Sequence, residues 1–163
     1  MSAETSAIIT LRIYGDFLVP DEVTALMGVA PTQAHAKGDR HIGKDGREYA
    51  KRRVGMWQLR APEASESFES RVVALLALLP SPGTVWKALN QQFESDLSVG
   101  YFMERTNEEF LVTAKIVNAL ATRGIALYLD IYDPAKDGEA TGPNHSFEAD
   151  GSAAAQLKRW AAQ

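Results

Sequence analysis

The sequence predicts an α+β fold: two β-α-β units forming one mostly antiparallel sheet with helices on one face, a ferredoxin-like type of sandwich with an extra helix pair between the units. Three observations lead there. Several segments alternate apolar and polar residues with the period of two that marks a strand buried on one side. The stretches between them place apolar residues three and four apart, the spacing of helices with one core-facing stripe. The order is strand-helix-strand, two helices, strand-helix-strand, a loose duplication of one unit with short connections.

Ile9, Leu11 and Ile13 alternate with Thr10, Arg12 and Tyr14 in the first strand, which Gly15-Asp16 breaks. Pro20 opens a helix, with Asp21 and Glu22 in its first turn, where carboxylates meet the positive end of the helix dipole. Val23, Leu26 and Met27 form its apolar stripe, and Gly28 suits the position just past its end. Residues 31–46 are polar and punctuated by glycine; they are expected to form a long loop with a short hairpin turning at Asp45-Gly46. A strand then runs from about Arg53 to Leu59.

Phe68, Val72, Leu75, Leu76 and Leu79 give the next helix a continuous stripe, and Pro80 stops it. Ser81-Pro82 reads as the cap and first residue of a further helix, in which Val85, Leu89 and Phe93 recur every fourth position. In the second unit Leu97, Val99, Tyr101 and Met103 alternate with Ser98, Gly100, Phe102 and Glu104. Ile116, Val117 and Leu120 mark a helix ending at Gly124. Ile125, Leu127, Leu129 and Ile131 then alternate with Ala126, Tyr128, Asp130 and Tyr132, the cleanest strand pattern in the chain. Residues 1–132 thus read as one α+β domain. Residues 133–163 read as a polar tail, in which Ser152 to Ala162 is spaced for a short helix presenting Leu157 and Trp160.

Composition narrows the function classes. With 45% hydrophobic and 23% charged residues the chain is ordinary for a folded protein and far from the disordered range. It has no cysteine, which removes disulfides, thiolate metal sites and a cysteine nucleophile, and suits a reducing cytoplasm. The N-terminal residues lack the basic cluster and unbroken apolar run of a signal peptide, and no apolar stretch is long enough to span a membrane. The net charge of −4 argues against a dedicated nucleic-acid binder. That charge is uneven: Lys37, Arg40, Lys44, Arg47, Lys51, Arg52 and Arg53 against Asp39, Asp45 and Glu48 leave one segment at +4 and the remainder at −8.

Ile13-Tyr14-Gly15-Asp16, Pro20-Asp21-Glu22-Val23 and Leu26-Met27-Gly28-Val29-Ala30-Pro31-Thr32 come in an order that resembles the bacterial family labelled domain of unknown function 4279. Lys37-Gly38-Asp39, Gly55-Met56-Trp57-Gln58-Leu59 and Gly124-Ile125-Ala126-Leu127 extend the resemblance over most of residues 8–132. It implies a small bacterial protein and brings no activity with it. It is silent on the basic stretch at 44–53 and on the tail after 133.

Candidate sites follow from the residue types. Gly38, Gly43 and Lys44 have the spacing of a phosphate-binding loop, but Asp45 stands where Ser or Thr would hold magnesium, and Gly46 where a helix would begin. In the same loop His35, Asp39 and His41 are metal-ligand types, yet their spacing is not that of one helix face, and no metal or other cofactor is expected. Lys37 and Arg40 could attract an anion, although a solvated charged turn would carry the same residues. The stretch Arg47 to Arg53 could touch phosphates, but lysine and arginine also protect exposed sheet edges, which is the preferred reading.

If the aliphatic side of each strand packs on helices, the other side displays Arg12, Tyr14, Phe102, Tyr128, Asp130 and Tyr132, and Trp57 joins them if Met56 points to the core. Aromatics interleaved with a few charges are what interfaces and ligand platforms use. An RNA-binding reading of this face fails at Val99-Gly100-Tyr101-Phe102-Met103-Glu104, which lacks the small residue between aromatics. No Gly-x-Ser-x-Gly elbow is present, Glu108-Glu109 looks solvated, and Asp16 beside Gly15 is more simply a turn residue than a base.

The expectation is a non-catalytic module that binds a protein partner or a second copy through its aromatic sheet face. The alternative is a small anionic-ligand or metal site, which leaves room for an enzyme, built where the His35 to Arg40 loop converges with Asp16 and Trp57.

Overall fold

The computed structural model describes residues 7–62, 67–105 and 107–132. The expected tail and its helix lie outside the described residues. In chain order the elements are β1 (Ala7–Gly15), α1 (Pro20–Met27), β2 (Gln33–His35), β3 (His41–Ile42), β4 (Glu48–Tyr49), β5 (Gly55–Arg60), α2 (Phe68–Ala77), α3 (Thr84–Gln92), β6 (Glu94–Phe102), α4 (Ala114–Ala121) and β7 (Ala126–Tyr132). The fold is α+β, with a five-stranded sheet in the order β2-β5-β1-β6-β7 and a separate two-stranded ladder of β3 and β4.

The sheet is mostly antiparallel, as expected. β1 sits at its centre, antiparallel to β5 on one side and β6 on the other. The two strand-helix-strand units close differently: β5 returns antiparallel to β1, whereas β7 returns parallel to β6 across α4. Register carries the odd-numbered residues of β1 onto one face with their partners: Ile9 opposite Val99, Leu11 opposite Leu59 and Leu97, and Ile13 opposite Trp57. This is the face the helices cover. Its core joins Ile9, Leu11 and Ile13 to Val23 and Met27 of α1, Val72 and Leu75 of α2, Trp86 and Leu89 of α3, and Ile116 and Leu120 of α4.

Both buried indoles satisfy their polar atom, as a buried tryptophan requires. Trp57 Nε1 donates to Thr24 Oγ1 at 3.0 Å, and Trp86 Nε1 to the Pro80 carbonyl at 2.9 Å. The helix ends follow the usual rules: Ser67 Oγ caps α2 on the Ser70 amide, and Gly28 takes φ 70° after α1. Thr113 Oγ1 accepts from the Ile116 amide to cap α4 while donating to Glu69 Oε2 of α2 at 2.6 Å, so one hydroxyl both starts a helix and ties it to its neighbour.

Two local expectations need correction. Ser81-Pro82 does not cap α3, which starts at Thr84 after Gly83; the Trp86 indole, anchored on Pro80, makes Trp86 and Leu89 the buried residues. The stretch 31–46 is not simply a loop, because Gln33–His35 adds β2 to the edge of β5. Beyond β2 the chain forms the expected hairpin through Asp45-Gly46, with His41 opposite Tyr49. At its base the Gly38 amide donates to the Arg52 carbonyl and the Arg52 amide to the Asp39 carbonyl, so two residues oppose one. Gly38, at φ 88°, supplies the left-handed conformation that such a bulge needs, and the bulge divides the hairpin from the main sheet.

Gly124 ends α4 at φ 67°, and a Cβ there would overlap the Asn90 amide, whose nitrogen donates to the Arg123 carbonyl at 2.9 Å. Gly124→Ala therefore meets both backbone strain and a displaced hydrogen bond. It is expected to destabilise by about 1–3 kcal/mol, read as a Tm several degrees lower; an unchanged Tm would show that Asn90 yields freely.

Candidate binding face

The side of the sheet that no described helix covers is built from the even-numbered residues of β1 and their neighbours. Register places Arg12 directly opposite Asp96, Tyr14 opposite Glu94 and Met56, and Phe102 opposite Tyr132. Arg12 and Asp96 form a two-point ion pair, Nε to Oδ1 at 2.7 Å and Nη2 to Oδ2 at 2.8 Å. Their side chains are only 5% and 1% exposed. The planar guanidinium matches both carboxylate oxygens at once, the geometry that makes such a pair strong and directional. The Tyr128 ring lies over the Arg12 guanidinium, 5.0 Å from Cζ to the ring centre, and adds a cation–π contact.

Arg12 and Tyr14 were expected to be displayed; the structure buries them at 4% and 7% exposure. A charge on a central strand is tolerated there because Asp96 neutralises it from the adjacent strand. The Tyr14 hydroxyl and one Glu94 oxygen, Oε2, are buried on this face, the hydroxyl close to Asp96. Burial, then the negative charges of Asp96 and Glu94, hold the Tyr14 phenol well above its ordinary range, so it stays protonated.

The other end is aromatic. Phe102 and Tyr132 stack with ring centres 4.6 Å apart and planes 9° from parallel, and the Tyr132 hydroxyl donates to Asp130 Oδ2 at 2.6 Å. Phe102 remains 39% exposed. Tyr128, Asp130 and Phe102 therefore share a face with Arg12 and Tyr14. Trp57 does not. It pairs with Ile13 rather than Tyr14, which turns its indole to the helix side, fully buried.

The loop residues engage one another. Lys37 Nζ reaches Asp16 Oδ2 at 2.7 Å, so the loop does meet Asp16, in a pair exposed enough for water to screen it. Asp39 Oδ2 accepts from the Ala36 amide, and Arg40 lies 3.8 Å from Glu48. Trp57 is fully buried on the helix side, its indole bonded to Thr24 rather than to these loop residues. Among the described residues no group of three or more His, Asp or Glu is placed to hold a metal ion, and His35, Asp39 and His41 do not form one. No described helix is long and apolar enough to cross a membrane.

Asp96 and Glu94 are the residues that sequence reasoning missed. The signal was present: carrying the alternation of Leu97, Val99 and Tyr101 back into residues 94–96 puts Asp96 on the face of Ser98. An arginine in the middle of an apolar strand also calls for an acidic partner on the next strand.

Two predictions follow the electrostatics. Asp96→Ala removes the carboxylate opposite a buried guanidinium and is expected to destabilise by about 3–5 kcal/mol in chemical unfolding, whereas the double change Arg12→Met, Asp96→Leu restores most of it. Equal losses in the two variants would contradict a charge-based account. His35 is held below its ordinary imidazole range, first by burial and then by Arg52. Its contribution is complete above about pH 6.5 and is lost as the pH falls through the lowered value. Tm should fall between about pH 7 and pH 5, and His35→Gln should flatten that part of the profile; an identical profile in the variant would rule His35 out.

Comparison with known proteins gives a family and no activity. No curated protein and no solved structure is significantly similar to the chain. The family described as "Domain of unknown function (DUF4279)" matches residues 4–134, most of the 163-residue chain, and the chain belongs to that family.

Proposed function

We propose that the chain is a bacterial, cytoplasmic, non-catalytic module that binds a protein partner or a second copy through its aromatic sheet face. The family resemblance supports the bacterial origin, and the absence of cysteine suits a reducing compartment. The observation that carries the binding reading is the composition of the face. A guanidinium gripped in its plane by Asp96 and covered by Tyr128 is a rigid support, with the stacked Phe102–Tyr132 pair beside it. Pre-ordered aromatic groups lose little conformational freedom on docking and contribute much of the energy of protein interfaces.

The reading as a small anionic-ligand or metal site has less behind it. Lys37 is held by Asp16 and Arg40 lies beside Glu48, so an anion would first have to displace carboxylates. The test is the pair of variants Tyr128→Ala and Phe102→Ala. Each is expected to weaken self-association, or recovery of a bound protein with the tagged chain, by tenfold or more while Tm moves by only a few degrees. Undiminished association in both would overturn the reading.

A further inference from the structure

β7 is an edge strand unlike the one at the other side of the sheet. β2, at the opposite edge, has three residues and runs into the charged hairpin. β7 has seven, AlaLeuTyrLeuAspIleTyr, with no lysine, arginine, proline or glycine to blunt it. Its helix-side residues Leu129 and Ile131 are 42% and 57% exposed. The reason is length: α4, with eight residues, extends about 12 Å, while seven residues of strand extend about 23 Å, so the helix is too short to cover the strand.

The main chain shows which residues face outward. The Met103 amide donates to the Tyr132 carbonyl, which places the polar groups of Tyr132, and by alternation those of Asp130, Tyr128 and Ala126, toward β6. The amides and carbonyls of Leu127, Leu129 and Ile131 therefore point away from β6, to an edge that no described strand occupies. We infer that this edge binds a second copy of the chain, β7 against β7 antiparallel, about a two-fold axis at Leu129.

The register follows from side-chain chemistry. Centred on Leu129, the pairing sets Leu127 against Ile131 of the other copy and Leu129 against its equivalent, a continuous apolar strip on the helix side. On the other face Asp130 comes opposite Tyr128, a carboxylate beside a phenol. Centring on Asp130 would set two carboxylates against each other, and centring on Tyr128 would leave Ile131 unpaired. The chosen register uses all three outward residues of each copy in about six main-chain hydrogen bonds. It also brings Asp130 of one copy beside the Tyr128 that covers the other copy's Arg12, joining the two binding faces along one sheet. The inference concerns the edge and goes beyond the face reading.

Because the chain has no cysteine, single-cysteine variants report the register directly. The whole chain is expected to sediment at twice its 17.8 kDa mass at high concentration. Leu129→Cys should form an interchain disulfide under mild oxidation, since directly opposed residues lie about 5.5 Å apart, within disulfide range. Leu127→Cys alone should not, its two copies being about 13 Å apart, but it should cross-link when mixed with Ile131→Cys. Leu129→Lys, at a half-exposed position, should return the chain to monomer with an unchanged circular dichroism spectrum, with Ile131→Lys as a second route should it fail to fold. Phe17→Ala, at an exposed position outside both β7 and the face, should leave the dimer intact. A monomer at every concentration, or cross-linking of Leu127→Cys equal to that of Leu129→Cys, overturns the edge. A dimer lost in Phe102→Ala and kept in Leu129→Lys overturns it too, and leaves the face reading standing.

Discussion

The pairing of Arg12 with Asp96 is the contact around which the sheet is organised. β1 is buried on both sides, with Ile9, Leu11 and Ile13 fully buried toward the helices and Arg12 and Tyr14 almost fully buried on the other face. A charge in such a strand requires a partner fixed in space, and Asp96 provides it from directly across the ladder. Slipping β6 by one residue would turn Asp96 into the aliphatic core and leave Arg12 without its carboxylate. Buried ion pairs add little net stability over apolar residues of similar size; their effect is to make the wrong arrangement expensive. Once β6 is set against β1, α4 and the parallel strand β7 follow from chain connectivity.

The two sides of the sheet consequently differ in kind. The helix side is held by aliphatic packing that tolerates conservative exchange. The other side is held by directional contacts: a two-point ion pair, a ring over a guanidinium, a stacked ring pair and a phenol on a carboxylate. Directional contacts give that surface a fixed shape, which is the property a recognition surface needs.

How much of this the sequence disclosed depends on how local the determining information is. The period-two pattern of β1 and β7 and the stripe of α2 are written in consecutive residues, and both strands and helix were legible. β2 was not: Gln33-Ala34-His35 has no pattern of its own and becomes a strand only because the edge of β5 offers partners. Trp57 shows the same limit. Met56, Trp57 and Leu59 are all buried, so apolarity could not say which of them faces the helices, and the answer came from pairing with Ile13. Of the face, Phe102, Tyr128 and Asp130 could be grouped by alternation alone. Asp96 and Glu94 sit where an apolar alternation begins and were passed over, although Asp96 anchors the strand that carries it.

The hairpin between β2 and β5 has a meaning for how the family can vary. Those two strands are hydrogen-bonded neighbours, so everything from residue 36 to residue 54 is an excursion that leaves and re-enters the sheet at adjacent points. Closing a longer excursion adds only about 0.6 kcal/mol for each doubling of its length. The seven basic residues of the chain's positive segment lie in this excursion, and the hydrophobic core has no member between residues 35 and 56. Natural selection can therefore lengthen, shorten or recharge it while the packed scaffold stays the same, so that electrostatic character and architecture evolve as separable traits.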